Sequence, residues 1–326
     1  MEQDGGKKRV IIITGPTGVG KTGFSLLLAE ALRTEIISAD SMQIYRGMDL
    51  GTAKPSPEQK ARVRHHMIDI VDPSETYSAG RYLRDVSPLI KGLHSRGKLP
   101  IVIGGTGLYI KTLTRGLFSA PEADPELRAA LLRLESRIPG RLYQELLKID
   151  PQRACTIEPA DKRRIIRALE VSLKAGRPIS ELQREFTSPL PYEYIKIGLT
   201  RDRKELYRLI EERVEEMFAR GLVDEVARLL GMNPSETPLQ AIGYKEVLGY
   251  LRGKLGLDET KLIVKRATKR YAKRQSTWFK KEEGIQWVDI TGLFSPEEVF
   301  EKVERETGTI NRFPLPGVSR NWVSHE

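Results

Sequence analysis

The segment GPTGVGKT, residues 15–22, constrains the fold most, because it fits G-x-x-x-x-G-K-[ST] between an apolar run and a helical pattern. In that setting, backbone N–H groups at the start of the helix can bind an oxyanion. Lys21 adds a positive charge, and the hydroxyl of Thr22 can hold Mg²⁺. The segment therefore predicts a phosphate or diphosphate site without identifying ATP as its ligand. The residues assigned to this site are Gly15, Pro16, Thr17, Gly18, Val19, Gly20, Lys21 and Thr22.

Five apolar runs rich in β-branched residues predict strands, and helical patterns separate most of them. These runs lie at residues 9–14, 35–39, 99–105, 194–200 and 285–290. Strands that alternate with helices are typical of βαβ units and of a parallel sheet covered on both faces. We therefore expect an α/β fold.

Residues 121–188 interrupt this alternation, because they contain helical patterns and no convincing strand. Asp124 followed by Pro125 is typical of a helix start, and Gly176 is typical of a helix end. We expect an all-helical domain inserted into the α/β core. The predicted divisions are 1–120 for the first part of the core, 121–190 for the insert, 191–312 for the second part and 313–326 for a tail.

The composition is that of a soluble globular protein, with 39% hydrophobic and 30% charged residues. Cys155 is the single cysteine, which excludes intramolecular disulfides and cysteine-based zinc sites. No apolar run approaches the roughly 20 residues of a membrane span, and the N-terminus lacks the apolar core of a signal peptide. We expect a cytoplasmic protein.

Polar side chains stand at the ends of several predicted strands. Asp40 ends the second strand, Thr106 follows the third within GGTGLY, and Arg203 follows the fourth. The carboxyl ends of parallel strands meet at one edge of the sheet, and ligands of open α/β sheets bind there. We therefore expect these three residues in one crevice with the phosphate loop.

Each of the three has two interpretations. Asp40 is either a general base for an attacking amine or hydroxyl, or a helix cap or Mg²⁺ ligand. Thr106 is either a donor to a diphosphate oxygen or a turn hydroxyl, and the glycines beside it permit close backbone approach. Arg203 is either an anion ligand or a solvated residue at a helix start.

Most of the formal net charge of +10 lies in residues 261–281, which we call the basic stripe. The stripe contains nine Lys or Arg residues and no acid. It is either a solvated helix face or a surface for RNA phosphates. Tyr271, Trp278 and Phe279 within it offer stacking surfaces or core anchors.

A second basic cluster lies in the predicted insert, where Arg163, Arg164 and Arg167 occur at helical spacing. Together with the basic stripe, this cluster favours an RNA partner gripped from two sides. A membrane surface is the weaker alternative, because no strongly apolar face accompanies the stripe.

Six motifs occur in order along the chain: GPTGVGKT, SADSMQIYRGMDLGTAKP, GGTGLYI, RRIIRALEV, LQAIGYKEVLGYL and YAKRQSTWF. Through them, residues 8–312 resemble the tRNA dimethylallyltransferases, also called tRNA isopentenyltransferases. The first motif is shared with many nucleotide-binding proteins, whereas the combination is highly specific.

The resemblance implies transfer of the dimethylallyl group of dimethylallyl diphosphate to N6 of an adenosine. That adenosine lies just 3′ of the anticodon in tRNAs that read codons beginning with U. The resemblance also implies a P-loop nucleotide-kinase-like core with a helical insert and assistance by Mg²⁺. One substrate per monomer is sufficient, so we expect a monomer.

Carried over position by position, the resemblance implies that residues 15–22 bind diphosphate and that Asp40 is the general base. It places Thr106 and Arg203 at the diphosphate. The residues expected at the tRNA, from the resemblance and the basic stripe, are Asp40, Ser41, Met42, Gln43, Arg163, Arg164, Arg167, Gln240, Gly243, Tyr244, Lys245, Lys269, Arg270, Lys273, Arg274 and Gln275.

Two other functions fit the same core. An adenylate isopentenyltransferase or a nucleotide kinase would act on a small acceptor, which the basic stripe and the basic insert argue against. A tRNA-binding protein with a nucleotide switch would need an acid at the third strand end, and GGTGLY offers none.

Overall fold

The computed structural model describes residues 7–309. Within them, six parallel strands form one sheet in the order β3-β2-β4-β1-β5-β6. The strands are β1 (Arg9–Thr14), β2 (Ile36–Ser38), β3 (His65–His66), β4 (Ile101–Ile103), β5 (Glu193–Thr200) and β6 (Ile285–Asp289). The predicted α/β fold with a parallel sheet is confirmed.

Helices connect these strands in the described residues, and six consecutive helices separate β4 from β5. The helices are α1 (Lys21–Ala31), α2 (Pro57–Arg62), α3 (Ala79–Ser95), α4 (Gly107–Arg115), α5 (Pro125–Arg137), α6 (Arg141–Ile149), α7 (Pro151–Ala154), α8 (Lys162–Ala175), α9 (Ile179–Phe186), α10 (Arg203–Ala219), α11 (Leu222–Gly231), α12 (Glu236–Leu239), α13 (Tyr244–Leu251), α14 (Leu257–Phe279) and α15 (Pro296–Thr307).

Strand β1 lies inside the sheet, where Ile12 is in register with Val102 of β4 and Lys196 of β5. Its residues from Val10 to Ile13 have no exposed surface. A strand buried on both faces needs a continuous apolar run, and this is the pattern that predicted it. Strand β3 was not predicted, because two histidines carry no apolar pattern.

The chain divides into two compact units. One contains the sheet and comprises the described residues up to 110 and from 191 onward. The other is Lys111–Leu190, is helical and contains the predicted insert. The predicted tail, residues 313–326, lies outside the described residues.

The helical unit has its own apolar core, which includes Leu142, Leu146, Ile165 and Leu169. Helix α5 begins as predicted, with the Asp124 side chain accepting from the backbone N–H of Leu127 at 3.0 Å. Helix α8 ends at Gly176, whose φ of 66° is favourable for glycine.

Three backbone hydrogen bonds join the strand ends that surround the phosphate loop. Gly104 N–H donates to the Ile13 carbonyl at 3.1 Å, Ala39 N–H to Ile103 at 2.7 Å, and Thr106 N–H to Ala39 at 3.2 Å. The segments after β1, β2 and β4 therefore lie side by side at the carboxyl edge of the sheet.

Candidate active site

A cavity of about 290 Å³ opens at this edge of the sheet. The phosphate loop, α1, the segments after β2 and β4, α10 and α14 all contribute to its wall. Lys21, Thr22 and Asp40 line it together. Arg213 and Tyr271 line it as well, and the sequence did not identify Arg213 as a site residue.

Glycines shape the phosphate loop. Gly15, Gly18 and Gly20 have φ values of 139°, 81° and 115°, which L side chains rarely adopt. A Cβ on Gly15 would lie 2.5 Å from the carbonyl oxygen of Leu199 on β5. Val19 is buried in the sheet core and anchors the loop. The loop then enters α1, whose first N–H groups have no acceptor within the helix.

Lys21 folds back onto its own loop, where Nζ donates to the carbonyl oxygens of Gly15 at 2.9 Å and Pro16 at 2.7 Å. Burial, and next repulsion by Arg213, lower the pKa of Lys21 to about 7, while attraction to Asp40 opposes this. A cation held beside another cation in a buried place is stabilised by any anion that enters. The loop is therefore arranged for an anionic ligand.

Arg213 is the second cation of the cavity. It extends from α10, is half-buried, and its Nη1 donates to the hydroxyl of Thr17 at 3.4 Å. Burial lowers the pKa of Arg213, and attraction to Asp40 opposes the shift. The sequence offered no signal for it, since α10 contains several arginines in similar surroundings.

Arg203 does not line the cavity. It is the first residue of α10, it is exposed, and its guanidinium lies 5.1 Å from the ring centre of Tyr207. The prediction that Arg203 lies in the crevice is therefore wrong. The arginine in the cavity comes from the middle of the same helix.

Asp40 caps the segment that follows β2 with one of its two carboxylate oxygens. Its Oδ1 accepts from the backbone N–H groups of Met42 at 2.8 Å and Gln43 at 3.3 Å, which is a capping arrangement. No group among residues 7–309 hydrogen-bonds its Oδ2. One oxygen thus fixes the carboxylate, and the other remains available to a ligand in the cavity.

Thr106 holds the segment that contains Asp40. Its Oγ1 accepts from the backbone N–H of Ser41 at 3.1 Å and donates to the Ser41 hydroxyl at 3.4 Å. Both side chains are half-buried. Thr106 therefore has a positioning role in this structure in addition to any contact with a ligand.

Gln43 lines the cavity, but its amide is used within the protein. Its Nε2 donates to the carbonyl oxygens of Thr52 and Ala53, both at 3.2 Å, and its Oε1 accepts from Ser38 at 3.0 Å. Met42 packs against a separate apolar cluster. Of the segment predicted to contact the acceptor, Asp40 is the residue with a free oxygen at the cavity.

The glycines after β4 make room for protein. A Cβ on Gly105 would lie 2.1 Å from the amide nitrogen of Gln275, and one on Gly107 would lie 2.2 Å from the ring nitrogen of Trp278. A Cβ on Gly104 would meet the backbone after β2 at 2.2 Å. The absence of side chains at these glycines thus leaves room for the segment after β2 and for α14. The sequence pattern assigned that room to a ligand.

Gln275 links two loops of the site. Its side chain is 5% exposed. Its Oε1 accepts from the backbone N–H of Thr17 at 2.8 Å, and its Nε2 donates to the carbonyl of Gly105 at 3.0 Å. Gln275 lines the cavity and does not lie on the outer surface of α14, so its predicted tRNA contact is limited to a base inside the cavity and stays a prediction.

Tyr271 lines the cavity one helical turn before Gln275. Burial, and then the negative charge of Asp40, raise the pKa of the Tyr271 phenol above its ordinary value. The hydroxyl is therefore protonated at neutral pH.

The basic stripe forms most of α14, and the fold divides its cations into two groups. Lys261 and Lys265 pair with Glu215 of α10, at 3.0 and 2.5 Å, and Lys269 pairs with Glu211. The prediction that Lys269 contacts tRNA is thus not supported by its position. The exposed cations with no ion-pair partner among the described residues are Arg266, Arg270, Lys273, Arg274, Lys280 and Lys281.

The arginines of the insert also differ from one another. Arg163 is exposed, and Arg164 pairs with Asp161 at 3.3 Å. Arg167 pairs with the fully buried Glu170 at 2.5 Å and donates to the carbonyl of Pro121 at 3.0 Å. Arg167 is therefore partly engaged within the helical unit, although 37% of its side chain is exposed, and its assignment as a tRNA ligand stays a prediction.

The segment from Gln240 to Lys245 is partly buried. Gln240 and Lys245 are exposed, as a nucleic-acid contact requires. Tyr244 has no exposed surface, and its hydroxyl donates to Glu225 at 2.5 Å. Gly243 is buried at the start of α13. The burial of Tyr244 and Gly243 therefore does not support their predicted tRNA contacts.

The oxygen atoms of the cavity suit Mg²⁺. The hydroxyl of Thr22 and Oδ2 of Asp40 face it without a protein partner among residues 7–309. Mg²⁺ prefers oxygen ligands and often binds through one or two protein groups and substrate phosphates. Within the described chain, no cluster of three or more His, Cys, Asp or Glu could hold a metal by itself. The fit is thus to a metal that arrives with a phosphorylated ligand.

In residues 7–309, no helix is long and apolar enough to cross a membrane.

Two family models match the chain. The model described as IPP transferase matches residues 43–282, and the model described as isopentenyl transferase matches residues 8–72. The chain is 50% identical over 304 residues to the tRNA dimethylallyltransferase of Thermodesulfovibrio yellowstonii. The aligned region covers 91% of this chain and 96% of that protein. The chain is also 50% identical over 297 residues to the tRNA dimethylallyltransferase of Geobacter sulfurreducens. This aligned region covers 90% of this chain and 95% of that protein.

Two solved structures are similar over almost the whole chain. The tRNA isopentenylpyrophosphate transferase of Bacillus halodurans is 39% identical with a TM-score of 0.67, covering 94% of this chain and 100% of that one. A eukaryotic dimethylallyltransferase, described as acting on tRNA, is 30% identical with a TM-score of 0.79. The match covers 95% of this chain and 81% of that one.

Proposed function

The chain belongs to the tRNA dimethylallyltransferase family and transfers a dimethylallyl group to tRNA, and we propose that Lys21, Arg213 and Asp40 carry this reaction. One observation supports the division of roles. Two cations and one carboxylate with an unengaged oxygen line a single cavity beside a phosphate loop. The cations can stabilise the negative charge of the departing diphosphate, and the carboxylate can accept a proton from the attacking amine.

The diphosphate of dimethylallyl diphosphate binds at residues 15–22. Lys21 gives up its hydrogen bonds to the carbonyl oxygens of Gly15 and Pro16 and binds the diphosphate. Arg213 binds the diphosphate from α10. The bond from the allylic carbon to the diphosphate oxygen breaks, and the electron pair leaves with the diphosphate. Fixed cations in a buried site stabilise the charge that develops on that oxygen.

Asp40 serves the acceptor. The N6 amine of adenosine forms a bond to the allylic carbon, and its excess proton passes to Oδ2 of Asp40. Oδ1 stays bonded to the N–H groups of Met42 and Gln43, which keeps Oδ2 directed at the cavity. Every atom is accounted for: prenylated adenosine, free diphosphate and one proton on the carboxylate.

Mg²⁺ would be held by the Thr22 hydroxyl together with diphosphate oxygens, where it neutralises phosphate charge. In every other step, residues of the chain bind and orient the substrates. We propose a monomer as the working unit, because one substrate pair per chain is sufficient for the reaction.

The acceptor is the adenosine just 3′ of the anticodon in tRNAs that read codons beginning with U. An adenine in the anticodon loop must leave its stack to reach a cavity of this kind. The unpaired cations on the outer face of α14 suit the phosphates of that loop. They do not suit a small acceptor, which needs no extended basic surface.

To test this function, the protein is incubated with labelled dimethylallyl diphosphate or labelled ATP as the donor. Unmodified tRNA or AMP serves as the acceptor. We expect label in tRNA from the prenyl donor alone, at the adenosine 3′ of the anticodon. Label in AMP would show a small-acceptor enzyme instead. Label from ATP in either acceptor would show a kinase.

Lys21 gives a pH-dependent prediction. Its pKa is lowered to about 7, so the free protein carries a largely neutral Lys21 at about pH 8.5. A bound diphosphate restores the charge, so binding should take up close to one proton per site at that pH. Calorimetric titration with diphosphate in buffers of different ionisation enthalpy measures this uptake.

The sign of the pH effect follows from the same shift. Diphosphate affinity should fall as pH rises above about 7, because protonating Lys21 then costs increasing free energy. The Lys21→Met variant serves as the control and should show weaker binding without the extra proton. Equal uptake in both proteins would assign the proton to another group.

The outer face of α14 gives a second prediction. Changing Arg266, Arg270, Lys273 and Arg274 to Gln should weaken tRNA binding and reduce the slope of log Kd against log salt by about three to four. Each exposed cation that meets a phosphate releases close to one counterion, which is why the slope counts them. Filter binding or fluorescence titration across a salt series gives the value.

The paired cations supply the matched control. Changing Lys269 and Glu211 together to Gln removes one ion pair and leaves the net charge unchanged. We expect the salt slope of this double variant to match that of the unmodified chain. A reduced slope would return Lys269 to the group of tRNA contacts.

A further inference from the structure

Trp278 is an exposed aromatic residue at the edge of the active site. It lies in the last turn of α14, and 41% of its surface is exposed. One edge of its indole packs on Gly107, where a Cβ would lie 2.2 Å from the ring nitrogen. Gly107 begins α4, directly after the turn that Gln275 ties to the phosphate loop. The indole is thus fixed in place beside the cavity.

The other aromatic residues of the basic stripe have different positions. Phe279 has no exposed surface and belongs to the core, and Tyr271 lines the cavity. The choice between core anchor and stacking surface is therefore settled separately for each ring. Trp278 is the one of these three whose ring is open to solvent.

Positive charge surrounds the exposed indole. Arg274 lies four residues before Trp278, on the same face of α14. Lys281 lies in the turn after α14, where its backbone N–H donates to the Trp278 carbonyl at 3.1 Å. Both cations are exposed, and neither has an ion-pair partner among the described residues. The indole N–H also has no acceptor in residues 7–309. The Arg274 guanidinium also lies 5.7 Å from the ring centre of Tyr271. An aromatic face bordered by exposed cations matches a nucleobase and the phosphates on either side of it.

We propose that Trp278 is a stacking platform for a base of the tRNA anticodon loop next to the base that enters the cavity. This inference rests on the proposed function and adds a binding residue to it. When one adenine leaves the stack, its neighbour loses a stacking partner. The indole replaces that partner, and Arg274 and Lys281 hold the adjoining phosphates.

The chain contains a matched control for this inference. Trp287 on the edge strand β6 is 37% exposed, and it also packs over a glycine, Gly198. The segment around it, residues 282–289, contains Glu282, Glu283 and Asp289 and no cation. It therefore has the same exposure without the charge that would attract RNA.

Three single variants, each assayed with an anticodon stem-loop RNA, test the platform. Trp278→Leu should raise the Kd for the RNA about 10- to 100-fold, the range expected for one stacked base. Trp278→Phe should stay within about threefold because it keeps an aromatic face. Trp287→Leu should be unchanged, and all three should bind diphosphate normally. An unchanged Kd for Trp278→Leu would overturn the inference.

Fluorescence gives a readout that a purely structural role would not move. The chain has three tryptophans, so changing Trp287 and Trp322 to Phe leaves Trp278 as the single reporter. Its emission should be quenched by the stem-loop and unaffected by inorganic polyphosphate, which has charge but no base. Equal quenching by both would show a charge effect and exclude stacking.

The outcomes separate this inference from the proposed function. If the unmodified chain fails to prenylate the stem-loop or full tRNA, the proposed function fails. If it prenylates the RNA and Trp278→Leu does so with the same KM and Kd, only the platform fails.

Discussion

Replacing Asp40 with Asn is expected to lower kcat for prenyl transfer by about a thousandfold, the range of a lost general base. The amide cannot accept the proton from the N6 amine. It can still present an oxygen to the N–H groups of Met42 and Gln43, which now bond Oδ1. The segment after β2 should therefore keep its conformation. Single-turnover transfer to tRNA at saturating dimethylallyl diphosphate measures the loss.

The binding assays give this prediction its specificity. Asp40→Asn should bind tRNA and diphosphate within about threefold of the unmodified chain, because phosphate contacts come from other residues. Asp40→Ala is the comparison, since it removes the cap as well as the base. It should lose thermal stability in addition to activity. Normal turnover in Asp40→Asn would remove Asp40 from the base role.

Replacing Arg213 with Gln is expected to lower kcat/KM for dimethylallyl diphosphate by about 100- to 1,000-fold. Arg213 is a cation held in the cavity wall, next to the phosphate loop through its bond to Thr17. Its removal leaves the departing diphosphate with one protein cation in place of two. Steady-state kinetics with varied diphosphate substrate and fixed tRNA give the value.

Arg203→Gln is the control, because it removes an arginine from the same helix outside the cavity. Its guanidinium lies over Tyr207 and is exposed, so kcat/KM should change less than twofold. The pair distinguishes the sequence-based assignment from the one that the structure supports. A large loss in Arg203→Gln with normal kinetics in Arg213→Gln would reverse our assignment.

Sequence was sufficient for the parts of the site that depend on local pattern. The phosphate loop requires glycines at fixed positions, and a buried parallel strand requires a continuous apolar run, so both were visible at residues 9–22. Asp40 followed from topology, because parallel strand ends meet at one edge of the sheet. Lys21, Thr22 and Asp40 accordingly line one cavity.

The sequence could not show what side chains from distant helices contribute. The acids that pair with Lys261, Lys265 and Lys269 lie on α10, about fifty residues earlier in the chain. Only helix packing reveals that these cations are neutralised while Arg270, Lys273 and Arg274 are not. The burial of Gln275 likewise depends on where α14 crosses the turn after β4, which no local pattern records.

By itself, the sequence determined the phosphate loop, the parallel sheet and the carboxylate at its edge, because these follow from local patterns and from the order of strands and helices along the chain. Tertiary structure alone decided that Arg213 and not Arg203 enters the cavity, and that Trp278 is exposed while Phe279 is buried. These choices depend on how far a helix is rotated against its neighbour. That rotation is set by the packing of many distant side chains together, which no local pattern records.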